Sequence, residues 1–590
     1  MLKTLFSRRW LGLLLIWMII GASLRFTNLE GKPPWTDEFA TLVFSLGNSF
    51  KTVPLNQVIS LETLLAPLRP NSSAASDVIH HLITEDHHPP LYFVLVHWWM
   101  QLFPAADGYV SLWSARSLPA LFGVASIPAA YGLAYLAFRS SLVAQLSAAL
   151  IAVSPYGIFL TQEARHYALA MLWVMASLAC LVVAMQHLHR QKPLPIWIAL
   201  CWVVVNSLGM ATHYFFSLTL VAQAICFAAA PAIALFGLAI LKNPTKLQLK
   251  NQEWKWQKLP IPASWWRIAA VAAGTFVGCL VWLPVWQASH NSQMTQWIMT
   301  NNRTILSLIN PIFQSLAAWI TMVCLLPVET PSLGVAIASG AAMLAFFIFA
   351  IPIVYRAIKA LLGQPEQRLG LESLGGFVLG AIALFFGITY ILGTDLTRGA
   401  RYNFVYFPAV PIIVAAALAL GQPTTTTNIK WRHISIIWIV GLLSGITVVN
   451  NLGYQKYYRP DLLLPIIQQA SKVPVVIATT HNTLVQTGEM MSLAWEFKSK
   501  TNLQPQFLLA HQEQDRCEAT TCRASQTLQQ TIAKLPKPLD LWLINFKAPA
   551  QPEPPNCFAE DTSQYQTSVN GYSARLYHCL ADDAEATRQF

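Results

Sequence analysis

The chain has 590 residues, of which 55% are hydrophobic and only 11% charged, where an ordinary soluble chain carries about a quarter charged. That balance belongs to a membrane protein and argues against a soluble domain. It also argues against a nucleic-acid-binding one despite a formal net charge of +11, because the Lys and Arg residues sit in short connections between apolar segments and no basic, aromatic-interleaved face appears.

In chain order, thirteen apolar segments stand out: 10 to 28, 90 to 104, 112 to 138, 141 to 160, 167 to 188, 195 to 216, 217 to 241, 268 to 289, 305 to 327, 332 to 355, 373 to 393, 404 to 421 and 434 to 452. A helix needs about 20 apolar residues to cross the hydrocarbon core, and several segments approach that length. The expected fold is therefore a polytopic α-helical membrane protein. Lys3, Arg8 and Arg9 precede the first segment and no small-residue cleavage site follows it, so it reads as a retained first helix. Residues 29 to 88 mix Pro, Asn, Ser, Asp and His with amphipathic pieces such as TLVFSLGNSF and LNQVISLETLLAPL. They read as a large first extracytoplasmic loop with short helices lying on the membrane surface.

Charge in the connections sets the expected topology. If all thirteen segments crossed, the loop 242 to 267, with six Lys or Arg, and the loop holding Arg190 and Lys192 would fall outside, against the positive-inside rule. If 112 to 160 makes one net crossing and 305 to 327, broken at Asn310-Pro311, lies in the interface or re-enters, those eight basic residues face the cytoplasm. Only Arg165 and Arg303 then move outside. The sequence thus favours eleven crossings, with the N-terminus inside and the C-terminus outside.

Residues 453 to 590 leave the membrane pattern. Strand-like runs PVVIATT, LDLWLINF and SARLYHCL alternate with polar helical stretches, which suggests a small α/β domain beside a membrane domain of residues 1 to 452. Five cysteines, Cys180, Cys201, Cys226, Cys279 and Cys324, lie in apolar segments, where a thiol behaves as a small hydrophobe. Cys517, Cys522, Cys557 and Cys579 lie in the polar C-terminal region, an even number that fits two disulfides in an oxidising compartment. The favoured pairing is Cys517 with Cys522 and Cys557 with Cys579, of three connectivities.

Ionisable residues that hydropathy would forbid gather on one side. Asp37 and Glu38 follow the first helix, and Arg25 lies one turn inside its outer end. TEDHHPPLYF places Glu85, Asp86, His87 and His88 at the mouth of the second segment. SPYGIFLTQEARHYAL supplies Glu163, Arg165, His166 and Tyr167. His213-Tyr214 ends a later helix, and TDLTRGARYNF supplies Asp395, Arg398, Arg401 and Tyr402. With eleven crossings every one of these clusters reaches the extracytoplasmic face, as a polar site at the membrane surface requires. Taken singly, each has an ordinary explanation as a solvated loop, a helix start or an interfacial anchor.

The order of these motifs resembles a known group. DE after the first helix, HPPLY opening the second, AR-SLPALFG with Arg116 in the third, SP followed by QEARHYAL, TH-Y at a later helix end and RY near the last helices resemble the GT-C glycosyltransferases. The nearer resemblance is to the protein O-mannosyltransferase-like group, which includes the aminoarabinose transferases of lipid A. It covers about residues 1 to 420.

The resemblance implies a polyprenyl-phosphate-linked sugar as donor partner and membrane lipid around the site. Asp37 matches the acidic first-loop residue that acts as catalytic base or orients the acceptor. Arg398 or Arg401 would stabilise the departing phosphate. Glu38, His87, His88, Glu163, Arg165, Tyr167, His213 and Tyr402 would line the sugar and acceptor pockets. No cofactor is required; in some relatives a second acidic group helps to hold a divalent cation, a role for Asp37 with Glu163. QEAR stands here in place of the relatives' DxD-like motif, and that departure weighs against the metal. The retained first helix, the candidate disulfides and the absence of a C-terminal retention signal suggest a bacterial inner membrane with a periplasmic C-terminal domain. The competing reading is a transporter or flippase of a lipid-linked sugar, which would show matched halves with broken helices; no such repeat is evident. A receptor or assembly protein would not need so many helices and charges.

Overall fold

The computed structural model describes residues 8–86, 88–105, 107–240, 263–289, 298–299, 305–421, 427–513, 522–548, 556–560 and 568–581. His87, Arg303, Cys517 and most of the basic loop 242 to 267 lie outside them. The chain forms two compact units. One comprises Met1–Leu29, Glu85–Tyr92 and Arg116–Tyr454, and the other comprises Glu30–Thr84, Phe93–Ala115 and Gln455–Phe590.

The first unit is helical. Across the described residues, seven helices are long and apolar enough to cross a bilayer: Arg8–Phe26, Leu112–Phe138, Tyr167–His189, Ile305–Val323, Leu333–Leu362, Pro365–Ile391 and Asn428–Val449. Ser141–Val153 and Pro155–Thr161 together make an eighth, bent by 57°. Two sequence expectations change. The segment 90 to 104 contains a helix of only 10 residues, Leu91–Met100; at about 1.5 Å per residue it spans about half of the roughly 30 Å hydrocarbon core, so it does not cross alone. Conversely, Ile305–Val323 continues through Pro311 and is not broken there. Pro119, Pro128 and Pro352 likewise sit inside helices, as membrane helices tolerate where neighbouring groups satisfy the freed carbonyl.

The break falls instead at Ser154-Pro155. Proline disfavours the helical region for the residue before it, and Ser154 accordingly adopts φ −60° and ψ 121°. That ends the helix at Val153 and leaves its last carbonyls without intrahelical donors. Arg25, fully buried, fills the gap: Nη2 donates to the Ile151 carbonyl and Nη1 to the Ala152 carbonyl, both at 3.0 Å. Nη1 also donates to Gly21 O at 3.0 Å. Gly123 makes room for this guanidinium, since a Cβ there would lie 2.6 Å from Arg25 Nε. Beyond the break, Ser154 Oγ accepts from Gly157 N at 3.2 Å and starts the helix Pro155–Thr161.

The second unit is built on a seven-stranded sheet of order β1-β3-β2-β4-β7-β5, with β6 pairing β7. The strands are β1 Val58–Ser60, β2 Val475–His481, β3 Gln506–His511, β4 Leu539–Ile544, β5 Cys557–Ala559, β6 Ser568–Val569 and β7 Tyr572–Cys579. β3, β2 and β4 run parallel, linked by helices Leu484–Lys500 and Arg523–Ile532, while β1, β7 and β5 are antiparallel to their neighbours. Every residue of β2 and β4 is buried, as parallel strands covered on both faces require. Thr483 and Gln486 cap Leu484–Lys500 reciprocally, Gln486 Oε1 accepting from Thr483 N at 2.7 Å.

β1 comes from the first loop and pairs Val58 with Leu508 and Ser60 with Gln506. The loop's helix Thr36–Ser45 is not a membrane-surface helix with one exposed face. Phe39, Leu42, Val43 and Phe44 are at most 1% exposed, and Phe39 packs edge-on to Trp495 at 6.3 Å. Cys557 and Cys579 form a disulfide that joins β5 to β7. Cys522 is also disulfide-bonded, and the five cysteines of the apolar segments are free.

Candidate active site

Within the first unit, four connections between helices bring ionisable and aromatic side chains together. Residues 162–166 link Pro155–Thr161 to Tyr167–His189, and Glu163, Arg165 and His166 are all nearly or fully buried. Gln162 fixes the start of this turn, its Nε2 lying 3.2, 3.3 and 3.0 Å from the carbonyls of Leu24, Arg25 and Thr27 at the end of the first helix. The tight geometry continues with Arg165 N donating to Glu163 O at 2.7 Å.

His166 is the hub. Its ring centroid lies 4.3 Å from His213, 4.8 Å from Tyr167, 5.5 Å from His88 and 6.0 Å from Tyr92. His88 Nδ1 stands 2.7 Å from Asp86 Oδ2. His213 caps the C-terminus of Ile196–Thr212 and lies 5.0 Å from Phe404. Its Nδ1 accepts the Phe215 backbone N–H at 3.0 Å. In the neutral ring the proton therefore resides on Nε2, which makes that nitrogen a donor.

His166 and His213 lie in connections, outside the helical spans, and both have pKa values held well below the ordinary imidazole value of 6.5. For His166 the causes are burial first, then His213, Arg165, His88 and Arg401; for His213, burial, then His88, Arg165 and Arg401. Burial disfavours charge on the imidazoles and the neighbouring guanidiniums repel it. The result is a pair of neutral rings beside two guanidiniums, able to donate hydrogen bonds without carrying charge.

Arg401 and Arg398 part company. Arg401 bears on both imidazoles, and its guanidinium carbon lies 5.6 Å from the Tyr402 ring centroid. Tyr402 packs edge-on to Phe215 at 4.6 Å. Arg398 Nε pairs with Asp395 Oδ2 at 3.2 Å, and Asp395 Oδ1 accepts from Thr397 Oγ1 at 2.6 Å and Thr397 N at 3.1 Å. Arg165 lies 5.9 Å from the Tyr167 ring centroid.

Asp37 and Glu38 belong to the second unit, in the first turn of Thr36–Ser45. Carboxylates there are favoured by the helix dipole; Asp37 is half-buried and Glu38 fully buried. Glu163 belongs to the first unit. Among the described residues no group of three or more His, Cys, Asp or Glu is arranged to hold a metal ion. Three residues escaped the reading of the sequence. His166 and Tyr92 lay in quoted motifs without a role assigned to them. Tyr156, whose hydroxyl reaches the carbonyls of Ala400 and Arg401 at 2.9 Å each, is an aromatic in an apolar run and carries no separate sequence signal.

No protein-family model and no curated protein sequence matches this chain. Among solved structures it is similar to the crystal structure of ArnT from Cupriavidus metallidurans bound to undecaprenyl phosphate, at 10% identity and a TM-score of 0.46 over 97% of this chain and 98% of that one. The apo state of the same protein gives 10% identity and a TM-score of 0.46 over 98% of this chain and 99% of that one.

Proposed function

We propose that this chain is a multi-pass membrane glycosyltransferase of the GT-C kind, moving a sugar from a polyprenyl-phosphate donor to a lipid, polysaccharide or protein acceptor on the outer side of a bacterial inner membrane. The observation that carries the reading is the cluster of Arg401, Arg165 and the neutral His166 and His213 at the ends of apolar helices. It joins the order of motifs that resembles the GT-C enzymes.

The chemistry follows from what such a transfer needs. An acceptor hydroxyl is a weak nucleophile, and Asp37 within hydrogen-bond reach would take its proton as the anomeric carbon is attacked. The carrier phosphate leaves with negative charge, which Arg401 offsets by charge-assisted hydrogen bonds. Arg398 is the second candidate for that contact. A single in-line displacement inverts the sugar carbon. Glu38, His88, Glu163, Arg165, Tyr167, His213 and Tyr402 line the pockets for sugar and acceptor, the neutral imidazoles donating to hydroxyl or phosphate oxygens. A polyprenyl tail costs about 0.8 kcal/mol per CH₂ to remove from apolar surroundings, which is why a site at the ends of membrane helices suits the donor.

The test uses the full chain in liposomes with a synthetic polyprenyl-phosphate sugar. Asp37→Asn and Arg401→Ala are expected to keep expression and insertion, and Asp37→Asn to slow transfer by about 10²- to 10⁴-fold, the range for loss of a general base. Transfer surviving both changes removes the assignment.

A further inference from the structure

The short helix Pro155–Thr161 exists because Pro155 ends the helix before it, and Tyr156 is its second residue. The ring is packed on aromatic neighbours, 4.8 Å from Phe407 and 6.2 Å from Phe159 between centroids. Such packing needs only a phenyl group. The hydroxyl does something more specific: it lies 2.9 Å from the carbonyl oxygens of both Ala400 and Arg401, sharing its one proton between them. Those carbonyls belong to a short 3-10 turn, Ala400–Val405, which carries Arg401 with its guanidinium carbon 5.6 Å from the Tyr402 ring centroid and its charge acting on His166 and His213.

A guanidinium on a short irregular turn is only as well placed as the backbone beneath it, because a flexible four-bond side chain multiplies any backbone drift. The geometry points to Tyr156 as a positioning residue for Arg401: its hydroxyl pins the 400–401 backbone and so sets where the donor phosphate is held. This rests on the reading of Arg401 as the phosphate ligand. The turn has a second anchor at its start, the Asp395–Arg398 pair and the Thr397 hydrogen bonds, so losing the hydroxyl loosens the middle of the segment and leaves its origin fixed.

The experiment measures binding of undecaprenyl phosphate and of undecaprenol, its phosphate-free counterpart, to the full chain in nanodiscs. Wild type, Tyr156→Phe, Arg401→Ala and the double variant are compared. Phenylalanine keeps the ring packing, and an unchanged unfolding midpoint verifies the fold. Tyr156→Phe is expected to weaken undecaprenyl phosphate binding about five- to tenfold and to leave undecaprenol binding as in wild type. The double variant is expected to bind no more weakly than Arg401→Ala alone. A merely structural tyrosine would weaken both probes alike or add its loss to that of Arg401→Ala, and either result overturns the inference. Wild-type binding by Tyr156→Phe beside weakened binding by Arg401→Ala overturns it too while leaving the donor-phosphate reading intact. Unaltered binding by Arg401→Ala places the fault in that reading instead, and Tyr156 loses its role with it.

Discussion

Acidification offers a direct test of the neutral imidazole pair. His166 and His213 are held well below 6.5 by burial and by the positive neighbours Arg165 and Arg401, whereas an unfolded histidine titrates near about 6.5. Their folded pKa values are depressed, so the stability they contribute is fully present above the unfolded value and is lost as pH falls, because the unfolded chain takes up protons that the folded chain refuses. For a ring that stays neutral when folded, lowering pH from about 7.5 to about 5.5 lowers the folding equilibrium constant about tenfold, and two such rings lower it about a hundredfold. His481 in the second unit, pushed down to about 4 by burial and then by His511, adds loss of the same sign. The difference between proteins is therefore the measurement, not the wild-type slope. Unfolding free energies in mild detergent across that pH range are expected to fall more steeply for wild type than for His166→Gln or His213→Gln, by about tenfold in the folding equilibrium constant for each histidine removed. Parallel curves for wild type and both variants would refute the claim that the pair is buried and neutral.

Three further variants probe the packing of the fold. In Gly421→Ala the added Cβ would run into the Ala357 carbonyl, its carbon at 2.7 Å; because these are backbone atoms, about 1–3 kcal/mol of stability is expected to go, while Gly340→Ala, with nothing within 4 Å, leaves the detergent unfolding midpoint unchanged or slightly higher. Replacing Cys557 and Cys579 by Ser opens a loop with a sequence separation of 22, and the chain-entropy account puts the loss at about 3 kcal/mol, read as faster proteolysis of the C-terminal segment with the first unit's unfolding unaffected.

The parts of the fold that could be read from the sequence are those whose signal is local. Membrane helices announce themselves by apolar length, and β2, β4 and β7 by short runs between polar stretches. β1 has no such signal: Val58–Ser60 acquires its identity from Gln506–His511, more than four hundred residues later. The helix Thr36–Ser45 shows the same limit from another side. An apolar face reads alike whether it will meet lipid or protein, and here Phe39 meets Trp495. Proline misled twice, because Pro311 is carried through a helix while Pro155 breaks one; what differs is the presence of Arg25 to take up the released carbonyls.

The arginines carry this reasoning into the site. Hydropathy marks Arg25, Arg116, Arg398 and Arg401 alike as charges at helix ends, but their partners separate them. Arg25 donates to the carbonyls of Ile151 and Ala152 at a helix end that would otherwise hold unsatisfied acceptors, and Arg116 Nη1 donates to that of Leu29, in the bend beyond the first helix, at 2.8 Å. Arg398 faces a carboxylate, Asp395. Arg401 is gripped through its own backbone, by Tyr156, and its charge is felt by the two imidazoles. The bend at Ser154-Pro155 ties two of them together: the side chain of Arg25 stabilises it from one side, and on the other it delivers the Tyr156 hydroxyl that reaches the carbonyls of Ala400 and Arg401.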